Sequence, residues 1–288
     1  MHELSVMISS GLAGRSVKSV ALGQLKVSYG QLKRMKFSDH ILVDGIPRHT
    51  DYILRAGECL RLCFPVETGP RVGTGSEALN VVWEDPDILI IDKPAPLPSV
   101  ASRQGGETLE NRVFSYLDCP EGFIYRPVNR LDKGTSGLMM AAKNAHIQQR
   151  MQRMLHTDGF IREYLAVVDG RPGEEKGVID LPIGHGPGIK RVIDAAGRPA
   201  FTEYEVLKAG ESRSLLCLKL HTGRTHQIRV HLAALGCPVA GDFLYGQEDE
   251  RLPGRFALHS YRLCFCHPLS GEWVEARSPM PVNLQELV

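Results

Sequence analysis

A polar, glycine-containing segment at residues 126–138 carries one carboxylate, Asp132, between two cationic neighbours, Arg130 and Lys133. Opposite charges close by favour the ionised form of a carboxylate. The segment leads directly into an apolar run, and loops held by strands are common positions for reactive groups. We therefore interpret Asp132 as a candidate catalytic group. Composition alone favours a plainer alternative, a solvated turn in which Asp132 is a cap.

A second segment, residues 220–232, places three histidines, two arginines and a glutamine at the opening of a predicted helix. Helix openings present free N–H groups, so they favour phosphate or carboxylate ligands. His226 and Arg229 are three residues apart and share one helix face. Zinc is the competing interpretation. However, His221, His226 and His231 are five residues apart, do not stack on one face and have no acidic ligand between them, so no metal site is expected.

Tyr164 ends a third segment, residues 160–164, where an apolar strand is predicted to begin. An aromatic residue at such a position is most often part of the core. Its ring could instead stack on a base, with the hydroxyl free for a hydrogen bond.

The elements that must position these residues are many short strands and a few separate helices. That pattern predicts an α+β fold with a mixed, mostly antiparallel sheet, not repeated βαβ units. Residues 1–66 form a small predicted module, residues 67–76 have the composition of a linker, and residues 77–288 form one large domain. Helices are predicted over 16–26, 28–36, 108–117, 144–156 and 225–235. Strands are predicted over 41–43, 59–64, 81–84, 88–92, 138–142, 164–168, 178–181, 201–207, 215–220, 256–265 and 272–276.

The charge is unevenly distributed along the chain. The formal net charge is only +1, but residues 1–66 hold nine Lys and Arg against five Asp and Glu, and the rest holds 25 against 28. A basic N-terminal module is typical of a nucleic-acid partner. The seven cysteines include no CxxC pair and are expected to be free buried thiols, with Cys264 and Cys266 on the core face of a strand.

The sequence contains no run of about 20 apolar residues and no signal-peptide pattern. We therefore expect a cytoplasmic protein with no membrane partner.

The segments, taken in order, resemble the RluA-type pseudouridine synthase family over about residues 80 to 280. The matching motifs are Lys93-Pro94, Asn129-Arg-Leu-Asp132, Thr135-Ser-Gly-Leu138, Gly223 to Arg229, Gly241 to Gly246, Leu258-His-Ser260 and His267-Pro268. Three positions depart from the family pattern. Asn129 replaces a histidine, Gly134 replaces an acidic residue, and Pro96 stands where glycine is common.

The resemblance implies isomerisation of uridine to pseudouridine in RNA, a reaction that needs no redox cofactor and no metal. It implies Asp132 as the catalytic carboxylate, Arg229 as its partner through a bidentate fork, and Tyr164 stacked on the uracil. The uridine must leave the stacked bases of the RNA, and Arg130 would fill or support the place that it vacates. Arg224 would contact phosphate.

The N-terminal module resembles the small RNA-binding domain first known from protein four of the small ribosomal subunit. By that resemblance Lys33, Arg34 and Lys36 lie on or beside its RNA-facing helix; a merely solvated helix face is the alternative. Ribosomal RNA is the favoured partner, transfer RNA stays open, and a monomer is expected. Two rival functions are a non-catalytic RNA-binding or ribosome-assembly protein on the same fold, and a metal-dependent hydrolase that uses the histidines of residues 221–231.

Overall fold

A computed structural model describes residues 3–36, 40–64, 73–101, 105–118 and 123–288. The chain divides into two compact units. The described part of the smaller unit is residues 3–36 and 40–64, with residues 123, 124 and 144–146, and the larger unit contains the remaining described residues.

The smaller unit contains a four-stranded antiparallel sheet and two short helices. Its elements are β1 (Glu3–Met7), α1 (Val17–Gly23), α2 (Tyr29–Met35), β2 (Ile41–Val43), β3 (Ile46–Pro47) and β4 (Cys59–Cys63), with strand order β1-β4-β2-β3. Both helices begin where the sequence predicts, because the hydroxyls of Ser16 and Ser28 accept the backbone N–H of the third residue in each helix. Apolar residues of both helices and of β2 and β4 form one buried core.

Strand β1 was not predicted from the sequence. It is an edge strand paired only with β4 among the described elements, and its residues are at most partly buried, in alternation. A short run with one shallow apolar face gives a weak periodic signal, so tertiary pairing decides its conformation.

The larger unit is built on a ten-stranded sheet, counted over the described residues. Its first elements are β5 (Val81–Glu84), β6 (Ile88–Lys93), α3 (Leu109–Tyr116), β7 (Arg126–Pro127), β8 (Ser136–Ala142) and most of α4 (Ala145–Met154). Then follow β9 (Phe160–Asp169), β10 (Lys176–Asp180), β11 (Ile183–His185), β12 (Arg191–Ile193), β13 (Phe201–Ala209) and β14 (Arg213–Leu220). The last are α5 (Gln227–Ala234), β15 (Leu258–Cys266), β16 (Trp273–Arg277) and α6 (Val282–Gln285).

The main path through this sheet is β10-β13-β14-β9-β15-β8-β6-β5, with β16 beside β15 and β7 beside β8. Among the described pairs, β15 with β8 is parallel and the others are antiparallel. The predicted α+β class with a mixed, mostly antiparallel sheet is therefore confirmed. The two-residue and three-residue strands β7, β11 and β12 were not predicted, since such short elements show no period.

Strand β8 lies in the middle of the sheet, and all seven of its residues are buried. Apolar residues of β6, β8, α4 and β15 form a core cluster beneath it. At Gly137 the chain has a φ of 103°, and a Cβ there would lie 2.2 Å from the carbonyl oxygen of Ser260 on β15. Only glycine permits so close an approach between these two strands.

Residues 73–76 are attached to helix α3 of the larger unit. The amide of Asn111 donates to the carbonyl of Gly73 at 2.8 Å, and the N–H of Ser76 donates to Glu107 at 2.8 Å. That part of the predicted linker is therefore bound to the body. Residues 67–72 of it lie outside the described residues, and the functional division into module, linker and catalytic domain stays a prediction.

The six cysteines in the described part of the chain are free; Cys264 is buried and Cys266 is partly buried. Within those same residues, no helix reaches the length and hydropathy that crossing a bilayer requires.

Candidate active site

The loop that carries Asp132 connects β7 to β8 and is fastened to the body through its backbone. Ser99 donates its hydroxyl to the carbonyl of Leu131 at 2.7 Å. Leu97 and Lys93 both donate to the carbonyl of Lys133, at 3.0 and 3.4 Å. A loop held at these two carbonyls has little freedom, so the carboxylate between them is presented in a defined position.

Asn129 and Gly134, two of the departures from the family pattern, are both accommodated in this loop. The side-chain oxygen of Asn129 accepts the N–H of Met140 on β8 at 2.8 Å, which ties the start of the loop to the sheet. A Cβ at Gly134 would lie 2.7 Å from the ring of Phe256. Phe256 therefore fills the space that a side chain at position 134 would need.

Asp132 lies beside Arg229 of helix α5, as the resemblance implies. The Nη1 of Arg229 donates to the Oδ2 of Asp132 at 2.9 Å. The expected bidentate fork on Asp132 is wrong, because the fork binds a second carboxylate. Nε and Nη2 of Arg229 donate to the two oxygens of Asp242 at 2.6 and 2.8 Å. Both carboxylates therefore share one guanidinium.

The two carboxylates differ in burial and in the number of hydrogen bonds that they accept. The side chain of Asp242 is fully buried, and its Oδ1 also accepts the N–H groups of Leu244 and Tyr245 at 3.0 and 3.3 Å. The side chain of Asp132 is 29% exposed, and its Oδ1 makes no hydrogen bond to another described residue. Asp242 is therefore a structural anchor for Arg229, whereas Asp132 keeps one oxygen available to a substrate.

The guanidinium of Arg229 is also covered by two aromatic rings. Its central carbon lies 5.0 Å from the ring centre of Tyr245 and 4.2 Å from that of Phe256. Burial acts to lower the pKa of Arg229, but the hydrogen bonds and charges of Asp242, and then Asp132, outweigh burial and raise this pKa. The cation is thus permanent, and its planar shape suits both the ring faces and the fork.

His226 is the third group that faces Asp132. It precedes α5 in the left-handed region, with a φ of 58°, and its Nε2 lies 3.9 Å from the Oδ2 of Asp132. Its Nδ1 is 2.8 Å from the hydroxyl of Tyr245, which also accepts the N–H of Arg191. Burial lowers the pKa of His226, and Arg229 adds to that effect while Asp132 opposes it. A neutral imidazole at pH 7 follows from this direction.

Tyr164 lies on β9 and lines the same cavity as Asp132 and His226, which has a volume of about 660 Å³. The residue is 4% exposed, and burial raises the pKa of its phenol. The two interpretations of Tyr164 are therefore compatible, because a largely buried side chain still contributes to the wall of the cavity. The volume is within the range of small-molecule sites.

A buried lysine lies behind the loop. The side chain of Lys93 is fully buried, and its Nζ donates to the carbonyls of Pro94 and Leu97 at 3.0 and 2.8 Å, in addition to Lys133. Burial lowers the pKa of Lys93 to about 7, although the charge of Asp132 opposes this. Lys93 positions the loop and does not line the cavity that contains Asp132.

The predicted substrate-binding residues lie in both units. Arg130 is exposed beside Asp132, and Arg224 lies at the opening of α5; both line the cavity. Lys33 and Arg34 are exposed in the last turn of α2 in the smaller unit, and Lys36 is exposed as its C-cap.

Sequence reasoning missed the roles of Asp242, Tyr245 and Phe256 around Arg229. The motif Gly241 to Gly246 contains the first two, so a signal was present. Nothing in the spacing tied that motif to Arg229, because the contact joins a helix to a separate loop. Among the described residues, no group of three or more His, Cys, Asp or Glu side chains is arranged to hold a metal ion.

Comparison with known proteins identifies the family. Residues 87–234 match a family model described as RNA pseudouridylate synthase. An uncharacterised RNA pseudouridine synthase of Bacillus subtilis, YjbO, is 34% identical over 95% of this chain and 98% of its own. Ribosomal large subunit pseudouridine synthase D of Xanthomonas campestris is 34% identical over 98% of this chain and 90% of its own.

A solved structure agrees with this assignment. Human RNA pseudouridylate synthase domain containing 1 has a TM-score of 0.58 and 29% identity, over 72% of this chain and 86% of that one. The family match lies over the loop of Asp132, strand β9 and helix α5, which carry Asp132, Tyr164 and Arg229. With its motifs, fold and relatives in agreement, this chain belongs to the RNA pseudouridine synthase family.

Proposed function

We propose that this RNA pseudouridine synthase acts on uridine in structured ribosomal RNA and that the carboxylate of Asp132 is its catalytic group. The observation that carries the proposal is that Arg229 binds Asp242 through two nitrogens but Asp132 through only one. One oxygen of Asp132 is held by Nη1 at 2.9 Å, while the other accepts no hydrogen bond from a described residue and lies beside a cavity of about 660 Å³. A positioned, partly open carboxylate beside such a cavity fits a nucleophile or a base.

The chemistry makes modest demands. The bond between ribose C1′ and uracil N1 breaks, the base turns, and C1′ joins C5; C5 then loses its proton to solvent and N1 takes one up, so that the atoms balance. No oxidation state changes, so the reaction requires no redox cofactor. Asp132 can act by attack on the sugar or base, or by removal of a sugar proton. In each route Arg229 holds the carboxylate in place and balances part of its charge.

Substrate entry requires that the uridine leave the stacked RNA. Extrusion of a base costs a few kcal/mol, and the cost is smallest in loops and unpaired regions. The ring of Tyr164 in the cavity wall suits stacking on uracil. The exposed guanidinium of Arg130 suits the position that the base vacates.

Ribosomal RNA is the proposed substrate for two reasons. Similarity to a protein named ribosomal large subunit pseudouridine synthase D extends over 98% of this chain. The basic module of residues 1–66, with Lys33, Arg34 and Lys36 exposed on and after α2, supplies a phosphate-binding surface. Transfer RNA is the alternative that the experiment must separate. We propose action as a monomer, in the cytoplasm.

The test is release of labelled hydrogen from C5 of uridine in an unmodified transcript of large-subunit ribosomal RNA, with transfer RNA transcripts in parallel. We expect the wild type to release the label from the ribosomal transcript and Asp132→Asn to release none, with RNA affinity changed by no more than a few-fold. The amide keeps the shape of the side chain and removes its charge.

Asp118→Asn is the matched control, because Asp118 is an exposed aspartate of the larger unit at a left-handed φ of 59° that asparagine also tolerates. It should behave as the wild type does. Normal release by Asp132→Asn would contradict the catalytic role, and release from transfer RNA alone would contradict the ribosomal substrate.

A further inference from the structure

Arg162 is a buried cation in the catalytic cavity that the mechanism above does not use. It lies on β9 two residues before Tyr164, is 4% exposed and lines the cavity that contains Asp132. Its Nη2 donates to the carbonyls of Leu155 and Thr222 at 3.0 and 3.4 Å. Its buried Nε has no hydrogen-bond partner among the described residues.

No carboxylate in the described part of the chain is paired with Arg162. Asp132, which lines the same cavity, is held by Arg229, and the adjacent Glu163 is paired with Arg262 at 3.1 Å. By contrast, the buried Arg112 is paired with Glu107 and Glu77. Burial lowers the pKa of Arg162, because the charged form is the one that low polarity penalises. A buried cation without a counter-ion is unfavourable unless a ligand supplies the opposite charge.

A second arginine, Arg224, lines the same cavity, as does His156. The Nε of Arg224 donates to the carbonyl of Pro199 at 2.9 Å, and Arg224 forms no ion pair with a described carboxylate. After burial, the charges of Arg162 and Arg224 contribute to the lowered pKa of His156, so these groups share one electrostatic field. A Cβ at the exposed Gly223 would lie 3.0 Å from Nη1 of Arg162, so glycine leaves that side of the guanidinium uncovered.

We infer that Arg162, together with Arg224, binds a backbone phosphate that adjoins the uridine held at Asp132. The inference rests on the proposed function, since it assumes that an RNA nucleoside enters this cavity. A nucleoside in RNA carries a phosphate on each side, and an arginine fork matches phosphate oxygens well. A uracil oxygen would be a weaker partner, because it would leave the positive charge of the buried site unbalanced. Arg162 is thus a substrate-binding residue rather than a catalytic one.

The experiment is the salt dependence of RNA binding by Arg162→Gln and Arg162→Lys. Affinity for the unmodified large-subunit transcript is measured at several KCl concentrations. Each phosphate contact contributes about 0.7 to 0.9 to the slope of log K against log salt. We expect Arg162→Gln to lose about one such contact and to bind less tightly in low salt, whereas Arg162→Lys retains the slope because it retains the charge. A native slope in Arg162→Gln overturns the inference.

A purely structural role predicts a different pattern. If Arg162 served only the two carbonyls, Arg162→Gln would lower the melting temperature without a change in slope. Arg213→Gln is the matched control: Arg213 is also largely buried, is paired with Asp169 and Asp249, and does not line the cavity. We expect Arg213→Gln to have a lower melting temperature than the wild type and the same slope of log K against log salt.

A measurement on the wild type alone keeps the inference testable if the variants fail to fold. Ethylation of single phosphates in the transcript removes their charge, and we expect interference at a phosphate next to the target uridine. Its absence overturns the inference. The proposed function fails separately, through a wild type that binds the transcript but releases no label from it.

Discussion

At the scale of single residues, the site depends on one guanidinium that serves two carboxylates of different character. Arg229 binds the buried Asp242 through its fork and the partly exposed Asp132 through its remaining nitrogen. The two pairs should therefore respond differently to removal of charge. Breaking a buried pair is strongly destabilising, whereas a partly exposed pair contributes little to stability.

We expect Asp242→Asn to lower the free energy of unfolding by about 3 kcal/mol, because it breaks the buried half of this arrangement. Turnover should fall as well, since Arg229 would lose the anchor that orients it toward Asp132. Asp132→Asn should change stability by less than about 1 kcal/mol. Urea unfolding and label release, measured on the same preparations, test both expectations. Equal stabilities of the two variants would contradict the distinction.

Lys93 gives the protein a pH dependence of stability. Its pKa is lowered from 10.5 to about 7 by burial, so between those values the unfolded chain binds a proton that the folded chain does not. Stability must then rise with pH across this window, by up to about 1.4 kcal/mol for each pH unit, and the gain is absent below about pH 7.

Urea unfolding of the wild type and Lys93→Met from pH 7 to 10 isolates this contribution, because every other titrating group is common to both proteins. The free energy of unfolding of the wild type should rise with pH relative to that of Lys93→Met. Parallel curves would show that Lys93 titrates near its ordinary value in the fold.

At the scale of elements, the loop of Asp132 depends on the contact between β8 and β15. The strands approach so closely at Gly137 that a Cβ would lie 2.2 Å from the carbonyl oxygen of Ser260. The same glycine has a φ of 103°, which side chains rarely adopt. Backbone strain and a steric clash would therefore coincide immediately after the loop that carries Asp132.

We expect Gly137→Ala to lower the free energy of unfolding by about 3 kcal/mol or more, from backbone strain and the clash together. Gly173→Ala is the control, because a Cβ there meets no atom within 4 Å and its φ is ordinary. It should stay within about 0.5 kcal/mol of the wild type. Thermal or urea unfolding decides the comparison. A stable Gly137→Ala protein would mean that β8 and β15 can separate.

At the scale of the whole molecule, charge is divided between the two units. The basic excess lies within residues 1–66, and the rest of the chain is slightly acidic. The proposed division of labour follows from that distribution. Long-range attraction to RNA would come from the smaller unit, and selection of one uridine would come from the cavity of the larger unit.

We expect the double variant Lys33→Glu with Arg34→Glu to weaken binding of the ribosomal transcript at least about tenfold and to reduce its salt slope. The turnover number at saturating RNA should change little, because neither residue lies in the unit that contains Asp132. The control is Lys176→Glu with Lys208→Glu, a matched reversal of exposed charge in the larger unit. Unchanged affinity in the first variant would remove these residues from the RNA surface.

Much of the architecture was determined locally and could be predicted from the sequence. Helices α1, α2 and α3 begin where a hydroxyl caps them, at Ser16, Ser28 and Thr108. Gly236, just after α5, has the left-handed φ of 76° that a helix end of this kind requires. Capping, turn chemistry and apolar period act over a few residues, so they can be read without knowledge of the fold. The family motifs likewise identified Asp132, Arg229 and Tyr164 as site candidates.

Only the tertiary structure decided how those residues share their bonds. Asp132 and Arg229 are 97 positions apart, and Arg229 and Asp242 are 13 apart, on different elements. Which carboxylate accepts the bidentate hydrogen bonds of Arg229 depends on how helix α5, the loop that carries Asp242 and the rings of Tyr245 and Phe256 pack together. The tertiary structure also decided that the Nε of Arg162 is buried without a hydrogen-bond partner among the described residues, and that Lys93 is fully buried. Residue types determine which bonds are possible, whereas burial and direction, which select among them, exist only once the chain has packed.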